Sequence, residues 1–211
     1  LTNLLQQINV ELSELGRRVL PSLVQVRSGR RGAGAGTIWH ADGVIATNAH
    51  VVGRQPSPVT VCLSSGAQHA ARVLARSDEL DLAFLRIDAA DLPVIPLGDS
   101  HMLQAGEVIT AFGHPWGVPG AATAGIVIGM GDALPELAGT GHEWLAASLH
   151  LRPGHSGGPM VDVAGRLVGI NTLMNGPDVG VAIPVHVAKQ FLTETYAQYA
   201  SRVEASRIVR V

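Results

Sequence analysis

Three residues of this chain carry the groups needed for nucleophilic attack on a carbonyl. Ser156 lies in Gly154-His155-Ser156-Gly157-Gly158-Pro159-Met160. A serine hydroxyl is a poor nucleophile near neutral pH and needs a base to take its proton. It also needs backbone N–H groups aimed at the oxyanion that forms. Glycines let a chain turn so that its N–H groups converge, because positive φ costs them little. Taken alone, the segment reads equally well as a Gly-Gly-Pro turn with Ser156 as a turn hydroxyl. His50 lies in Thr47-Asn48-Ala49-His50-Val51-Val52. The Asp42-Gly43 turn and the apolar Val44-Ile45-Ala46 before it predict a strand, with His50 at the end of it. The chain has nine histidines, so His50 by itself is also readable as a buried ring satisfied by a carbonyl. Asp81 opens the run Asp81-Leu82-Ala83-Phe84-Leu85-Arg86-Ile87. A carboxylate directly before an apolar strand is costly to bury unless paired, and an imidazole would pair it. The alternative is a turn cap in the loop it shares with Asp78 and Glu79.

Chain order separates two nucleophile patterns that Ser156 fits. The Gly-x-Ser-x-Gly elbow of α/β-hydrolases places its acid and histidine after the serine. Only 55 residues follow Ser156, with one histidine, His186, at a predicted helix start. That is too little chain for the rest of such a fold. The other pattern runs His, Asp, Ser, and His50, Asp81 and Ser156 follow it with separations of 31 and 75 residues.

With these residues in order, the chain resembles the HtrA (Deg) family of trypsin-like serine proteases, from about Val24 to about Leu192. The resemblance rests on the three segments above together with Gly113-His114-Pro115-Trp116-Gly117, Thr123-Ala124-Gly125-Ile126-Val127, Gly169-Ile170-Asn171-Thr172 and Gly180-Val181-Ala182-Ile183-Pro184. It implies an all-β, chymotrypsin-like double β-barrel with N-terminal and C-terminal helices, with the site in the cleft between the barrels. It implies a serine endopeptidase acting on extended, unfolded or misfolded polypeptide through an acyl-enzyme intermediate. His50 would be the general base and Asp81 the residue that orients and stabilises it. The N–H groups of Gly154 and Ser156 would form the oxyanion hole. Thr172, Leu173 and Met174 would bind the substrate strand through main-chain hydrogen bonds.

By the same resemblance His150 and Leu151 form the floor of the S1 pocket, and Asn171, Leu173, Val181 and Ala182 its walls. No acid stands at that floor, so the expected P1 residue is small or medium and apolar rather than Arg or Lys. His150 stands where the family usually has alanine, which leaves an acidic P1 residue open. His155 replaces a usual asparagine, and the aspartate that pairs with a newly cut N-terminus in trypsins, so activation by such a cut is not expected. Ser148 replaces a usual aspartate and Arg152 a usual asparagine. These changes all lie in the approach to Ser156, where they bear on how its loop is ordered.

The elements that must position these residues are legible in outline. The 211 residues, 25 glycines and 12 prolines, with short apolar runs between turns, suit one all-β domain. Apolar positions at Leu4, Leu5, Ile8, Leu12, Leu15 and Val19 predict an amphipathic helix within residues 1–21, ended by Pro21 and packed on the body or on a second subunit. The protease domain is expected over 22–200, with barrels over about 22–97 and 105–184. A helix from about Val185 to Ala200 should follow, with Val187, Phe191, Leu192 and Tyr196 on one face. Residues 201–211 form a tail. Gly32-Ala33-Gly34-Ala35-Gly36 lacks the Lys-Ser/Thr of a phosphate loop and reads as close packing.

Composition narrows the partners. Net charge is −2, which suggests no nucleic-acid partner. The patch Arg27, Arg30 and Arg31 reads as a solvated loop. The only cysteine, Cys62, excludes an internal disulfide and reads as a small core residue. No apolar run approaches a membrane span, and the start at Leu1 without a signal segment reads as a processed or truncated piece. No cofactor is implied. No metal is implied either, since His114, His142, His150 and His155 form no helical ligand motif. A homo-oligomer stays open, although no aromatic residue precedes Trp39 to build the family's usual trimer. Resemblance alone points to a bacterial cell envelope, the periplasm or secretion. The rival reading is a non-catalytic, chaperone-like module that grips extended peptides on a protease fold, and a third is an esterase using the same trio.

Overall fold

Runs such as Leu82-Ala83-Phe84-Leu85 and Val181-Ala182-Ile183 are too continuous for strands with one wet face, because side chains alternate between the two faces of a sheet. In the computed structural model, which describes residues 3–29, 32–53, 57–132 and 141–195, each such strand lies between two cores. Ala83, Leu85 and Ile87 face the interior of a first barrel, while Leu82 and Phe84 face a shared core between the barrels. Ala182 likewise faces the interior of a second barrel, and Val181 and Ile183 the shared core.

The first barrel closes in the order β1-β2-β3-β6-β5-β4. Its strands are β1 (Leu23–Ser28), β2 (Gly32–His40), β3 (Val44–Thr47), β4 (Val59–Cys62), β5 (Gln68–Ser77) and β6 (Leu82–Ile87). The second closes in the order β10-β11-β12-β9-β8-β7. Its strands are β7 (Val108–Gly113), β8 (Ala121–Gly131), β9 (Trp144–Ser148), β10 (Pro159–Asp162), β11 (Leu167–Met174) and β12 (Val179–Pro184). Neighbouring strands are antiparallel throughout. This is the chymotrypsin-like double β-barrel, all-β with a few helices.

Helix α1 (Leu4–Val19) starts at a capping box: the Asn3 side chain accepts from Leu5 N, and Asn3 N donates to Gln6 Oε1. Pro21 falls in a short 3-10 turn, Leu20–Ser22, that leads into β1. Only the C-terminal end of the apolar stripe is covered. Leu15 and Val19 enter the shared core, whereas Leu4, Leu5, Ile8 and Leu12 are exposed. Helix α3 (residues 185–195) lays Val187, Phe191 and Leu192 against the shared core. Phe191 stacks on Phe84 at 6.2 Å, and Phe84 meets Trp39 edge-on at 5.3 Å, so α3 is latched to the first barrel. Tyr196, Arg30, Arg31 and the tail 201–211 lie outside the described residues.

Two local expectations need correction. Cys62 is half-buried rather than a core residue, because it ends β4 beside an open cavity of about 440 Å³ that it lines with Leu20, Leu23 and His114. His50 is not at a strand end. Strand β3 stops at Thr47, and His50 lies in the one-turn helix α2 (Ala49–Val52). No helix among the described residues is long and apolar enough to cross a membrane.

Candidate active site

Helix α2 presents His50 at the open side of the first barrel. Gly53, with φ 70°, ends α2, and the Arg76 guanidinium caps it by donating to the carbonyls of Ala49 and Gly53. Asp81 sits one residue before β6 with φ 50°, a left-handed conformation that costs a non-glycine residue about 1–3 kcal/mol unless the surroundings hold it. They do so here: the Asp81 carbonyl accepts from Ala49 N at 3.1 Å and from Asn48 Nδ2 at 3.0 Å. Its carboxylate then lies 2.8 and 3.0 Å from His50 Nδ1, accepts from His50 N at 3.0 Å, and accepts from Thr172 Oγ1 at 2.5 Å. Burial pushes the Asp81 carboxyl up, but the His50 side chain, the Thr172 hydroxyl and the His50 N–H outweigh it, leaving its pKa below the ordinary value.

The second barrel supplies Ser156 on the turn before β10. Gly154 has φ 107° and Gly157 φ 84°. A Cβ on Gly154 would strike the His114 carbonyl, and one on Gly157 the Ala35 carbonyl and the Thr47 hydroxyl, so both positions require glycine. The turn is pinned on both flanks. His114 N donates to Gly154 O at 2.8 Å and Trp116 N to Pro153 O at 3.4 Å. On the other flank Gly157 N donates to Asn171 O at 2.8 Å, and Ala35 N of the first barrel donates to Ser156 O at 2.8 Å. In a trans peptide the N–H points opposite its carbonyl, so Gly154 N–H is turned away from Trp116. Among the described residues neither Gly154 N–H nor Ser156 N–H has an acceptor.

Thr172 joins the two halves. Its hydroxyl holds Asp81 while its carbonyl accepts from Ser156 Oγ at 2.9 Å. Among the described residues no hydrogen bond links Ser156 Oγ to His50. His186, the one histidine after Ser156, is committed elsewhere: Nδ1 lies 2.7 Å from Ser100 Oγ and Nε2 2.7 Å from Glu143.

The residues expected to line a substrate channel divide. Leu151, Met174 and Ala182 share the core of the second barrel, and Met174 Sδ accepts from Leu151 N. Leu173 is exposed on β11, and Val181 faces the shared core. The Asn171 amide is buried and donates to the carbonyls of Phe112 and Pro159, which ties β11 to β7 and β10. His150 is exposed and its Nδ1 lies 2.9 Å from Pro177 O, while Ser148 is exposed at the end of β9. Among the described residues no cluster of histidine, cysteine and carboxylate side chains has the geometry to hold a metal.

His155 is 1% exposed. Its Nδ1 is 3.1 Å from both N and O of Arg152, and its Nε2 is buried without a partner, so a second ring proton would have no acceptor. Burial depresses the pKa of His155 and of neighbouring His114 below the ordinary 6.5, and the carbonyls of Arg152 and Val24 only partly oppose it. Folding disfavours protonation of both rings, whereas the unfolded chain protonates them below about pH 6.5. Their contribution is therefore complete above that pH and is lost as pH falls below it. We expect the thermal midpoint to drop as pH is lowered from about 7 to about 5, and His155→Asn to flatten that drop. An unchanged slope would remove His155 as its source.

Three contacts escape sequence reasoning: the Arg76 cap on α2, the Asn48 amide on the Asp81 carbonyl, and the Thr172 hydroxyl on its carboxylate. Arg76 carries no signal, since it reaches α2 only after the β4–β5 hairpin closes. Asn48 is polar beside an apolar strand and two residues before His50, a signal it shares with Thr47.

Known proteins share this arrangement of elements. The model of the trypsin-like peptidase domain matches residues 34 to 170. Human serine protease HTRA4 is 38% identical over 165 residues, covering 77% of this chain and 34% of that protein. A probable periplasmic serine endoprotease, DegP-like, of Pseudomonas fluorescens is 38% identical over 160 residues, covering 74% of this chain and 33% of that protein. The crystal structure of the serine endoprotease from Yersinia pestis superposes with a TM-score of 0.76 at 31% identity, covering 87% of this chain and 65% of that one. This chain thus spans a third to two fifths of the length of its curated relatives. The matched domain model covers well over half of the chain and includes the His50, Asp81 and Ser156 segments, and the chain belongs to the trypsin-like peptidase family as an HtrA-like serine protease domain.

Proposed function

We propose that the protein is a serine endopeptidase in which Ser156 attacks a peptide carbonyl, His50 takes and returns the proton, and Asp81 holds the imidazole in the productive tautomer. The observation that carries this reading is the bridge at Thr172, which binds the Asp81 carboxylate and the Ser156 hydroxyl at once. The reading requires Ser156 Oγ to leave the Thr172 carbonyl for His50 Nε2, which a change of χ1 between staggered rotamers would supply. The unpaired N–H groups of Gly154 and Ser156 then receive the oxyanion, each worth about 3 kcal/mol in related chemistry. The end of β11, from buried Thr172 through exposed Leu173 to half-buried Met174, would offer main-chain groups to an extended substrate strand. An extended segment is what such an edge accommodates, which supports unfolded polypeptide as the substrate class. In this reading His150 and Leu151 form the floor of the P1 subsite; neither is acidic, and the Asp178 carboxylate nearby lies 3.8 Å from His150 Nδ1, which supports small or medium apolar P1 residues over Arg or Lys. Bacterial relatives described as periplasmic support placing the activity in a cell envelope or outside the cell, although the similar relatives include mammalian proteins.

One observation favours the second reading, a peptide-gripping module without cleavage: Ser156 Oγ rests on Thr172 O rather than on the imidazole. Incubation with one protein in its native and its permanently unfolded form separates the two. The peptidase reading predicts new N-termini from the unfolded form alone. Retention of the unfolded form with no new N-termini supports the gripping module.

A further inference from the structure

Trp116 and Arg152 form a charged plate beside the oxyanion turn, and nothing so far gives it a role. Trp116 is 74% exposed, an unusual state for the largest apolar side chain. It holds φ 53°, a left-handed conformation costing a bulky residue about 1–3 kcal/mol. Its backbone N–H is bonded to Pro153 O, which ties its main chain to the turn that carries Gly154. The Arg152 guanidinium carbon lies 5.1 Å from the centre of that ring, within reach of a cation–π contact. Arg152 is further fixed by its own backbone, whose N–H and C=O meet His155. Three guanidinium groups have carboxylate partners, Arg17 with Glu14, Arg76 with Asp78 and Arg166 with Asp162. Among the described residues no carboxylate lies within ion-pair distance of Arg152.

The position of the plate fixes what it meets. The turn from Pro153 to Gly158 has two flanks. At one, β11 bonds Gly157 and Ser156 through Asn171 and Thr172. At the other, His114 and Trp116 bond Gly154 and Pro153. A substrate whose acyl half lies on β11 crosses Ser156 and leaves over the Trp116 flank. We propose that Trp116 and Arg152 form a subsite for a carboxylate side chain on the leaving-group half of the substrate, within the first residues after the scissile bond. This rests on the peptidase reading for the direction of the strand, but not for the binding itself. The indole holds the guanidinium in one orientation, and the planar fork accepts a carboxylate through paired N–H donors. His150 does not compete for that role, because Asp178 lies 3.8 Å from its Nδ1.

The test uses two internally quenched peptides that differ only in Glu against Gln at the second residue after an apolar P1–P1′ bond. Their kcat/KM values are measured on the wild type, Arg152→Gln and Trp116→Ala. Their dissociation constants are measured on Ser156→Ala with and without Arg152→Gln. A half-exposed ion pair at the upper end of its usual worth gives a Glu preference of about fivefold. That preference should shrink at high salt and fall to near unity in Arg152→Gln. In Trp116→Ala it should fall part of the way, because the charge remains but loses its platform. Equal handling of the two peptides by the wild type, or a Glu preference that survives Arg152→Gln, overturns the subsite. If no variant cleaves but Ser156→Ala still prefers the Glu peptide through Arg152, the subsite stands and the peptidase reading fails.

Discussion

Replacing Ser156 or His50 with alanine is expected to lower kcat by about 10⁶-fold in either case, and replacing both to cost little more. The two side chains act as one unit: the hydroxyl is inert without a base, and the base has no proton to take without the hydroxyl. Separate contributions would multiply, so near-identical single and double variants are the signature of shared chemistry. Neither change should unfold the chain. His50 is exposed on α2, and Ser156→Ala leaves the bond of Ser156 O to Ala35 N intact. Peptide turnover and thermal midpoints measured side by side check this, and a double variant far below either single one would contradict it.

The second large effect is expected at Asp81. Changing it to asparagine should lower kcat by about 10⁴-fold while removing little volume. The carboxylate now accepts from three donors, His50 Nδ1, His50 N and Thr172 Oγ1. An amide turns one oxygen into a donor. Facing Nδ1, it stabilises the tautomer whose proton sits on Nε2, toward Ser156, where an acceptor is needed. Part of the rate should return at high pH, as proton loss from the serine side becomes easier. Thr172→Val is the companion measurement: it removes one donor from Asp81 and should lower the rate far less than Asp81→Asn.

The all-β class was legible in short apolar runs punctuated by turn residues, whereas the double barrel was legible only through the resemblance to the HtrA family. The trio was legible because its order excludes the other pattern for Gly-x-Ser-x-Gly. What local sequence did not show were contacts made by closure. Asp81 meets Thr172 across 91 residues, and Arg76 reaches α2 from a different hairpin. The helical turn at His50 is not legible because Ala49 to Val52 is a single turn, too short for a 3.6-residue period to declare itself. Asn171 illustrates the same limit. Its motif suggests a pocket wall, yet its amide is spent on two main-chain carbonyls. A polar side chain between apolar neighbours does not announce which buried carbonyl it will satisfy.

The central claim is that Ser156 is an activated nucleophile beside a formed oxyanion hole. Reaction with a fluorophosphonate reads that state directly, because phosphonylation needs both the activated hydroxyl and the donors that hold the phosphoryl oxygen. The wild type should incorporate one label per chain, located on Ser156, and Ser156→Ala none. Absence of label in the wild type, both alone and with an unfolded peptide present, or equal labelling of wild type and Ser156→Ala, would contradict the claim.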